Sequence, residues 1–251
     1  MKFSLCIEPV FTKYDFYDRI RMARDCGADA VEFWDPSPYD IKRIGQVASG
    51  AGMPVAAMCL YNAWGARLDG PLERVLESLE KTIRAGKDIG CATFIALAGQ
   101  TEGDAGSRKS GLIGNLKHAA GMCEKYGVTI VLEPLNSRYD HKGYSLDSSR
   151  AGFEVVRCVG STRVKILFDC YHMQLMEGDL VNSIRGNTSH IGHFHSAGVP
   201  GRHELAQGEI NYPFVIAAAE QAGYSGYFGL EYWPTYDDAR SVRDVLEYVR
   251  G

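Results

Sequence analysis

Short hydrophobic runs alternate with longer amphipathic stretches along the entire chain. Continuous apolar runs of this length, bounded by glycine or polar residues, are typical of buried β-strands. They predict eight strands, at residues 3–8, 30–34, 54–60, 93–99, 129–133, 164–169, 191–197 and 226–232. The amphipathic stretches predict eight helices, at residues 13–26, 39–49, 71–89, 109–126, 145–159, 179–189, 212–222 and 236–249.

The predicted helix at residues 71–89 shows the helical period most clearly. Hydrophobic side chains recur three or four residues apart, at Leu72, Val75, Leu76, Leu79 and Ile83. Charged side chains occupy the intervening positions Glu73, Arg74, Glu77, Glu80 and Lys81. An apolar stripe of this kind faces a core while the charged face meets solvent. Several predicted helices are followed directly by glycine, as helix C-termini favour.

Eight consecutive strand–helix pairs in 251 residues predict an α/β fold of the (β/α)8 TIM-barrel class. A doubly wound parallel sheet is the competing architecture. The chain carries no G-x-G-x-x-G motif after a strand and no P-loop, which argues against that alternative. No low-complexity segment or Pro/Gly/Ser-rich linker divides the sequence, so we expect a single barrel domain over residues 1–251.

Composition argues against several functional classes. The formal net charge is −4 and the basic residues form no dense run, so we expect neither nucleic acid nor a membrane surface as partner. The N-terminal segment reaches Glu8 before a long apolar run develops, which argues against a signal peptide or membrane span. Seven cysteines, an odd number without a C-x-x-C motif, predict free thiols and a cytoplasmic location.

Four ligand-type residues stand at the predicted ends of four consecutive strands: Glu133, Asp169, His195 and Glu231. In a TIM barrel the C-terminal ends of the strands form the catalytic face. Three carboxylates that converge there would raise one another's pKa values, and a divalent cation would remove this conflict. Oxygen ligands with one imidazole favour Mn²⁺, Mg²⁺ or Co²⁺ over a structural Zn²⁺. The pattern therefore predicts one metal centre.

Each of these residues has a structural alternative when it is considered alone. A carboxylate such as Asp169 or Glu133 at a strand end often caps the following helix or pairs with an arginine. His193 is expected to be a hydrogen-bonded core residue rather than a ligand. The metal interpretation therefore depends on the four residues occurring together on successive strand ends.

Two residues near the predicted metal centre are candidates for substrate binding. His172 follows Asp169 by three residues, in the predicted loop after the sixth strand, and could bind a substrate hydroxyl. Arg202 lies in a long Gly- and Pro-containing segment, where it could bind a carboxylate or hydroxyls. A salt bridge from Arg202 to Glu204 or Glu209 is the alternative. Aromatic residues could form either a pocket wall or part of the core: Phe11, Trp34, Tyr61, Trp64 and Trp233.

Five segments carry a recognisable family pattern: VLEPLN, LFDCYHMQLMEGD, GHFHSAGVPGRHE, GEINY and GYFGLEYWP. They resemble the hydroxypyruvate isomerases, and the resemblance covers the whole chain in order. These enzymes belong to the wider group of xylose isomerase-like barrels, which also holds ketose 3-epimerases and apurinic endonucleases. The resemblance implies that Glu133 and Glu231 bind the metal and move protons, and that Asp169 is a ligand. Residues expected to contact substrate are His172, Arg202, Trp34 and Asn136.

His195 is a departure from this resemblance. Hydroxypyruvate isomerases usually have Gln at the matching position, whereas ketose 3-epimerases have His. The epimerases also tend to carry an acidic residue about six positions after the first glutamate, where this chain has Tyr139. Both the isomerase and the epimerase therefore stay open.

The predicted chemistry is proton transfer next to a carbonyl group, through an enediolate, in carbohydrate metabolism. We expect an aldose–ketose type isomerase of a small sugar or keto acid, with a ketose 3-epimerase as the alternative. An apurinic endonuclease is a remote alternative because it needs several metals and a basic groove. A non-catalytic sugar-binding barrel is equally remote, since the proton-transfer residues are all present. Aromatic-rich loops also suggest a homo-oligomer, either a dimer or a tetramer.

Overall fold

The computed structural model describes residues 1–100 and 104–251. Its strands over these residues are β1 (Lys2–Cys6), β2 (Ala30–Phe33), β3 (Val55–Cys59), β4 (Thr93–Leu97), β5 (Thr129–Glu133), β6 (Val164–Asp169), β7 (Ile191–Ser196) and β8 (Tyr227–Leu230). The α-helices of the same residues are α1 (Phe16–Asp25), α2 (Ile41–Ala51), α3 (Leu72–Ile89), α4 (Ala105–Tyr126), α5 (Ser149–Val159), α6 (Cys170–Met176), α7 (Leu180–Asn187), α8 (Tyr212–Gln221) and α9 (Asp238–Arg250).

The strands form a closed barrel in which neighbouring strands run parallel. β1 pairs with both β2 and β8, so the barrel closes without a free edge. The apolar stripe predicted on α3 is buried at Val75, Leu79 and Ile83. This topology, with a helix after each strand, confirms the predicted (β/α)8 TIM-barrel fold.

Several element boundaries differ from the predicted ones because capping residues set the helix ends. Asp104 caps α4 by accepting a hydrogen bond from the Ser107 backbone at 2.8 Å, so this helix begins before residue 109. Ser148 caps α5 in the same way, at 3.2 Å from the backbone nitrogen of Ala151, so residues 145–148 precede the helix. β1 ends at Cys6, and residue 8 therefore lies beyond the strand.

Helix α6 was not predicted. Asp169 is both the last residue of β6 and the N-cap of α6, and its Oδ1 accepts a hydrogen bond from the His172 backbone at 3.0 Å. The strand therefore passes directly into a helix without an intervening turn. His172 lies in the first turn of α6, so its predicted placement in a loop is wrong.

Two expectations from composition can be compared with the structure. The cysteines are free, and they are buried apart from Cys158, which is exposed. Within the described ranges, no helix combines the length and the hydrophobicity needed to cross a lipid bilayer.

The pairing of β6 with β7 contains a β-bulge that matters for the site. Ile166 pairs with Ile191, but the next residue of β6, Leu167, pairs with His193. Gly192 is therefore the extra residue of β7 at the bulge. As a result, Asp169 pairs with His195. Directly paired residues point to the same face of a sheet. The bulge therefore brings these two side chains to the same face of the barrel wall.

Gly192 allows close packing at this bulge. A Cβ atom there would lie 2.7 Å from Cγ1 of Val131 and 3.1 Å from Cβ of Lys165. We predict that Gly192→Ala lowers the free energy of unfolding by about 1–3 kcal/mol, the usual cost of overpacking. Urea denaturation followed by circular dichroism measures this change.

The control for this prediction is Gly121→Ala on α4, where an added Cβ meets no atom within 4 Å. Alanine favours a helix over glycine by up to about 1 kcal/mol, so this variant should be at least as stable as the wild type. Equal stability of Gly192→Ala and the wild type would contradict the predicted crowding.

Candidate functional site

Four buried side chains converge at one mouth of the barrel: Glu133, Asp169, His195 and Glu231. Their ligand atoms all lie within 4.8 Å of one another. The residues come from the ends of β5, β6 and β7 and from the position directly after β8. The structure thus brings together the four residues that the sequence predicted for one metal centre. We call them the ligand cluster.

Two cationic side chains lie among the three carboxylates. Nδ1 of His195 is 3.3 Å from Oε1 of Glu133 and 3.5 Å from Oε2 of Glu231. Nη2 of Arg202 pairs with Glu231 and lies 3.8 Å from Oδ2 of Asp169. Glu231 therefore pairs with both cationic groups, whereas Glu133 pairs with His195 and Asp169 with Arg202.

The pKa values of the ligand cluster reflect burial and this uneven distribution of charge. Burial raises the pKa of Asp169 to about 7, and the Arg202 guanidinium opposes this only in part. Burial acts on Glu231 as well, but Arg202 and His195 outweigh it and hold the pKa of Glu231 below its ordinary value. Burial disfavours the charged ring of His195, yet Glu231 and Glu32 hold the pKa of His195 well above its ordinary value. The cations of the protein therefore compensate the charge of Glu231 better than that of Asp169.

The atoms of the ligand cluster fit a divalent cation. Among the described residues, Oε1 of Glu133 and Nδ1 of His195 are buried without a hydrogen-bond partner. Buried polar atoms are costly unless something satisfies them, and both of these atoms are metal-ligand donors. Three carboxylates with one imidazole form an oxygen-rich set, which suits Mn²⁺, Mg²⁺ or Co²⁺.

Asn136 fixes the tautomer of His172 beside the ligand cluster. Oδ1 of Asn136 accepts hydrogen bonds from the backbone N–H of Tyr139 at 3.0 Å and of Asp140 at 3.1 Å. These two donors identify this atom as the amide oxygen, so the remaining atom is the nitrogen Nδ2. Nδ2 donates to Oδ2 of Asp140 at 2.8 Å and to Nδ1 of His172 at 2.6 Å. Because Nδ1 accepts, a neutral His172 carries its proton on Nε2.

His172 therefore presents an N–H donor toward the ligand cluster. Burial, together with the charge of Arg202, lowers the pKa of His172 well below its ordinary value, so the ring is neutral. Its Nε2 lies 3.5 Å from Oδ2 of Asp169 and has no hydrogen bond within the described part of the chain. The two amide protons of Asn136 are both used within the protein, which favours a positioning role. Direct contact of Asn136 with substrate stays a prediction.

Two aromatic rings contact the Arg202 guanidinium at the pocket. Its guanidinium carbon lies 5.2 Å from the ring centre of Tyr171 and 5.0 Å from that of Trp233. Its backbone has a φ of 60°, in the left-handed region that a residue with a side chain rarely adopts. This conformation aims a long cation at the ligand cluster.

The alternative partners predicted for Arg202 are engaged elsewhere. Glu204 accepts hydrogen bonds from the backbone of Thr235 at 2.8 Å and from its hydroxyl at 2.9 Å. Glu209 accepts from Nε2 of Gln174 at 3.0 Å. Arg202 instead forms salt bridges with Glu231 and Asp169, so the alternative of a bridge to Glu204 or Glu209 is wrong.

A pocket of about 310 Å³ opens onto the ligand cluster. This volume is at the lower end of the range for small-molecule sites. Trp34, Trp64 and Trp233 line it, and Nε1 of Trp34 donates to Oε1 of Glu231 at 2.6 Å. The other two aromatic residues considered for this wall do not line the pocket. Phe11 is buried in the core, and Tyr61 lies at a different surface pocket.

Glu32 is a candidate functional residue that the sequence pattern did not predict. It lies within β2 and is fully buried, with Oε2 accepting a hydrogen bond from Oγ of Ser4 at 2.8 Å. The same oxygen is 2.7 Å from Nε2 of His193, which confirms that His193 is a hydrogen-bonded core residue. The sequence did contain one signal for Glu32, which is a single carboxylate inside the hydrophobic strand AVEF. A buried charge requires a partner, so this carboxylate indicates a polar contact inside the barrel.

Comparison with known proteins agrees with this geometry. A family model described as a xylose isomerase-like TIM barrel matches residues 20–250. Hydroxypyruvate isomerase from Escherichia coli is 31% identical over 257 residues, covering 99% of each chain. The 2-oxo-tetronate isomerase from Cupriavidus necator is 31% identical and covers 93% of each chain. A solved structure described as AP endonuclease, family 2, from Brucella melitensis is 27% identical, covers 98% of each chain and has a TM-score of 0.92.

These similarities bear directly on two predictions. The family model and the isomerase relatives confirm the resemblance to the hydroxypyruvate isomerases within the xylose isomerase-like barrels. They also confirm the prediction of an isomerase enzyme, at the level of the reaction class.

We predict that Mn²⁺ stabilises the folded protein through the ligand cluster. An ion that binds only the folded state at 100 times its Kd raises the free energy of unfolding by about 2.7 kcal/mol. Thermal denaturation at increasing Mn²⁺ concentration measures this effect. Asp169→Asn should remove most of the Mn²⁺-dependent increase in Tm, whereas Glu77→Gln on the exposed face of α3 should retain it. An undiminished increase in Asp169→Asn would contradict the predicted site.

Proposed function

Because the chain belongs to the xylose isomerase-like TIM-barrel family, we propose that it is a metal-dependent isomerase of a short 2-oxo acid or ketose. It would move the carbonyl group to the neighbouring hydroxyl-bearing carbon, through an enediolate. The observation that carries this proposal is the buried ligand cluster, in which two glutamates lie next to the same imidazole nitrogen. The two curated relatives are named for hydroxypyruvate and 2-oxo-tetronate, which are both short 2-oxo acids. A short 2-oxo acid is therefore the favoured substrate.

The residues that would hold one Mn²⁺, Mg²⁺ or Co²⁺ ion are those of the ligand cluster, Glu133, Asp169, His195 and Glu231. When bound, the ion supplies Lewis-acid stabilisation of the negative charge that develops on the substrate oxygens. Trp34, Trp64 and Trp233 would exclude water from one side of the pocket, which strengthens the electrostatic interactions inside it.

Glu133 is better placed than Glu231 to accept the first proton. Its Oε1 has no hydrogen bond among the described groups and would bind the ion, which leaves the second carboxylate oxygen to accept the proton. Both oxygens of Glu231 are engaged, because Trp34 donates to one and Arg202 pairs with the other. Arg202 and His195 hold the pKa of Glu231 below its ordinary value against the effect of burial, so Glu231 is a weaker base than an ordinary glutamate.

Isomerisation requires the movement of two protons. Glu133 takes the proton from the hydroxyl-bearing carbon, and the electrons of that C–H bond form the double bond of the enediolate. The protonated Glu133 then gives this proton to the former carbonyl carbon, which produces the product skeleton. The proton of the hydroxyl group passes to the former carbonyl oxygen. The Nε2–H of His172 is placed to hydrogen-bond one of these two oxygens.

Arg202 favours an acid over a neutral sugar as substrate. Its guanidinium lines the pocket and stays partly accessible, with 12% of the side chain exposed. A guanidinium binds a carboxylate through two parallel hydrogen bonds, whereas a neutral ketose makes no use of its charge.

A ketose 3-epimerase is the second candidate, and His195 is the observation that favours it. The resemblance implies His at this position in the epimerases and Gln in the hydroxypyruvate isomerases. In an epimerase, one glutamate would remove the proton from the carbon, and the other glutamate, protonated beforehand, would donate its own proton to the opposite face of the same carbon.

One screen separates these functions. The Mn²⁺-loaded protein is incubated in D₂O with hydroxypyruvate, 2-oxo-tetronate and tetrose, pentose and hexose ketoses, and the products are identified by NMR. Migration of the carbonyl group supports the isomerase, while inversion at C3 with the carbonyl retained supports the epimerase. A DNA duplex with one abasic site is included, and its incision would support the endonuclease alternative. No reaction with any carbonyl substrate would contradict the proposed function.

Glu133→Gln and Glu231→Gln are each predicted to lower kcat by about 10²–10⁴-fold, because a neutral amide cannot accept the substrate proton. Steady-state kinetics on the best substrate measures this loss, and circular dichroism checks that the variants fold. Glu209→Gln, which changes an exposed glutamate of the loop after β7, should leave kcat unchanged. A near-normal kcat in either of the first two variants would remove that residue from the proposed chemistry.

Arg202→Gln is predicted to raise KM for hydroxypyruvate by about 10–150-fold, since a charged hydrogen bond contributes about 1.5–3 kcal/mol. Because Arg202 also pairs with Glu231, the variant could alter the pocket in general. The inhibition constant of a neutral hydroxyketone of the same length controls for this, as it lacks the carboxylate. Equal losses for the acid and the neutral compound would show that Arg202 does not select for an acid.

A further inference from the structure

A second polar group lies deeper in the barrel, next to the ligand cluster. It consists of Ser4, Glu32 and His193, which come from the interiors of β1, β2 and β7 and are fully buried. Glu32 is its centre, because Oε2 accepts from Ser4 at 2.8 Å and is 2.7 Å from Nε2 of His193. The other oxygen, Oε1, lies 2.9 Å from Nε2 of His195. Glu32 therefore connects this group to one residue of the ligand cluster.

The two ring nitrogens of His195 face different surroundings. Nε2 faces Oε1 of Glu32, while Nδ1 faces Glu133 and Glu231 at 3.3 Å and 3.5 Å, respectively. Within the described part of the chain, neither Nε2 of His195 nor Oε1 of Glu32 has an aligned hydrogen bond, to each other or to another group. Their separation of 2.9 Å is nevertheless shorter than the distances from Nδ1 to Glu133 and Glu231.

The contact with Glu32 decides which nitrogen of His195 carries the proton. A lone pair on Nε2 that faced a carboxylate oxygen at 2.9 Å would be repelled, so Nε2 carries hydrogen. The lone pair of the neutral ring is then on Nδ1, directed at Glu133 and Glu231. Histidine ligands of metals commonly donate their other N–H to a carboxylate, which fixes the tautomer and the orientation of the ring.

We propose that Glu32 is a positioning residue for the metal centre: it holds His195 as the Nε2–H tautomer with Nδ1 directed at the divalent ion, and Ser4 and His193 hold Glu32 in place. This inference rests on the proposed metal site. Glu32 itself does not belong to the ligand cluster, because the ring of His195 lies between Glu32 and the carboxylates of that cluster.

A carboxylate is required at this position because two histidines need an acceptor. Glu32 offers one oxygen to His193 and the other to His195. A glutamine has a single carbonyl oxygen, so its amide N–H₂ would face one of the two ring nitrogens. Glu32→Gln keeps the size of the side chain but removes both this double acceptor and the negative charge.

The first test is the affinity for Mn²⁺, measured by isothermal titration calorimetry on the metal-free protein. Glu32→Gln should weaken Mn²⁺ binding by about 10–100-fold, as is usual when the partner of a ligand histidine is removed. The matched control is Glu77→Gln, which makes the same change from a carboxylate to an amide on the exposed face of α3. The Mn²⁺ affinity of Glu77→Gln should equal that of the wild type.

A double-variant comparison distinguishes positioning from simple charge. In a His195→Gln background there is no imidazole to orient, so adding Glu32→Gln should cause little further loss of Mn²⁺ affinity. An equal loss in both backgrounds would show that Glu32 acts through its charge alone and would overturn the inference.

The wild-type protein provides a test that needs no variant. Long-range ¹H–¹⁵N NMR of the Mg²⁺-loaded protein identifies the protonated nitrogen of His195, and the expected result is Nε2. A proton on Nδ1 would overturn the inference, even if Glu32→Gln fails to fold.

Wild-type affinity for Mn²⁺ in a folded Glu32→Gln variant would overturn this inference alone. The lack of saturable Mn²⁺ binding by the wild type would overturn the proposed metal site and this inference with it.

Discussion

The burial of three carboxylates at one point is the constraint on which the rest of the structure depends. Two like charges about 4 Å apart repel by roughly 4 kcal/mol at an effective dielectric constant of 20, whereas a folded domain is stable by only about 5–15 kcal/mol. Glu133, Asp169 and Glu231 therefore require cations among them. His195 and Arg202 lie closer to Glu231 than to Asp169, and the raised pKa of Asp169, about 7, reflects its burial with too little compensating charge.

The barrel satisfies this constraint through the register of its strands. Parallel strands that close into a barrel bring their C-terminal ends to one mouth, so neighbouring strands can each contribute one ligand. Position along the strand is not sufficient, because successive side chains point to opposite faces. Without the bulge at Gly192, the residue level with Asp169 would be Phe194, and His195 would point away from the ligand cluster. Phe194 instead stacks on Phe228, at 5.0 Å between ring centres.

The sequence is sufficient to predict the features that depend on local patterns. The alternation of apolar runs and amphipathic helices predicts the barrel, and the strand-end positions of the ligand cluster follow from the same pattern. Helix α6 was missed because its cap, Asp169, is also the last residue of a strand. Glu32 was missed because its partner His193 is 161 residues away in the chain, and no local pattern tells which strand will face it. The pairing of Arg202 with Glu231 similarly depends on a left-handed backbone conformation within a long loop.

The charge balance links the proposed metal to the proposed substrate. As a ligand through Nδ1, His195 would be neutral, so the three carboxylates would be balanced by the two charges of the ion and the one of Arg202. The charge of Glu32 lies on the far side of His195, where Ser4 and His193 satisfy one of its oxygens. A balanced centre does not repel a 2-oxo acid, and Arg202 can exchange part of its contact with Glu231 for the substrate carboxylate. Without Arg202 the same centre would carry a net negative charge, which would repel an acid but not a neutral ketose.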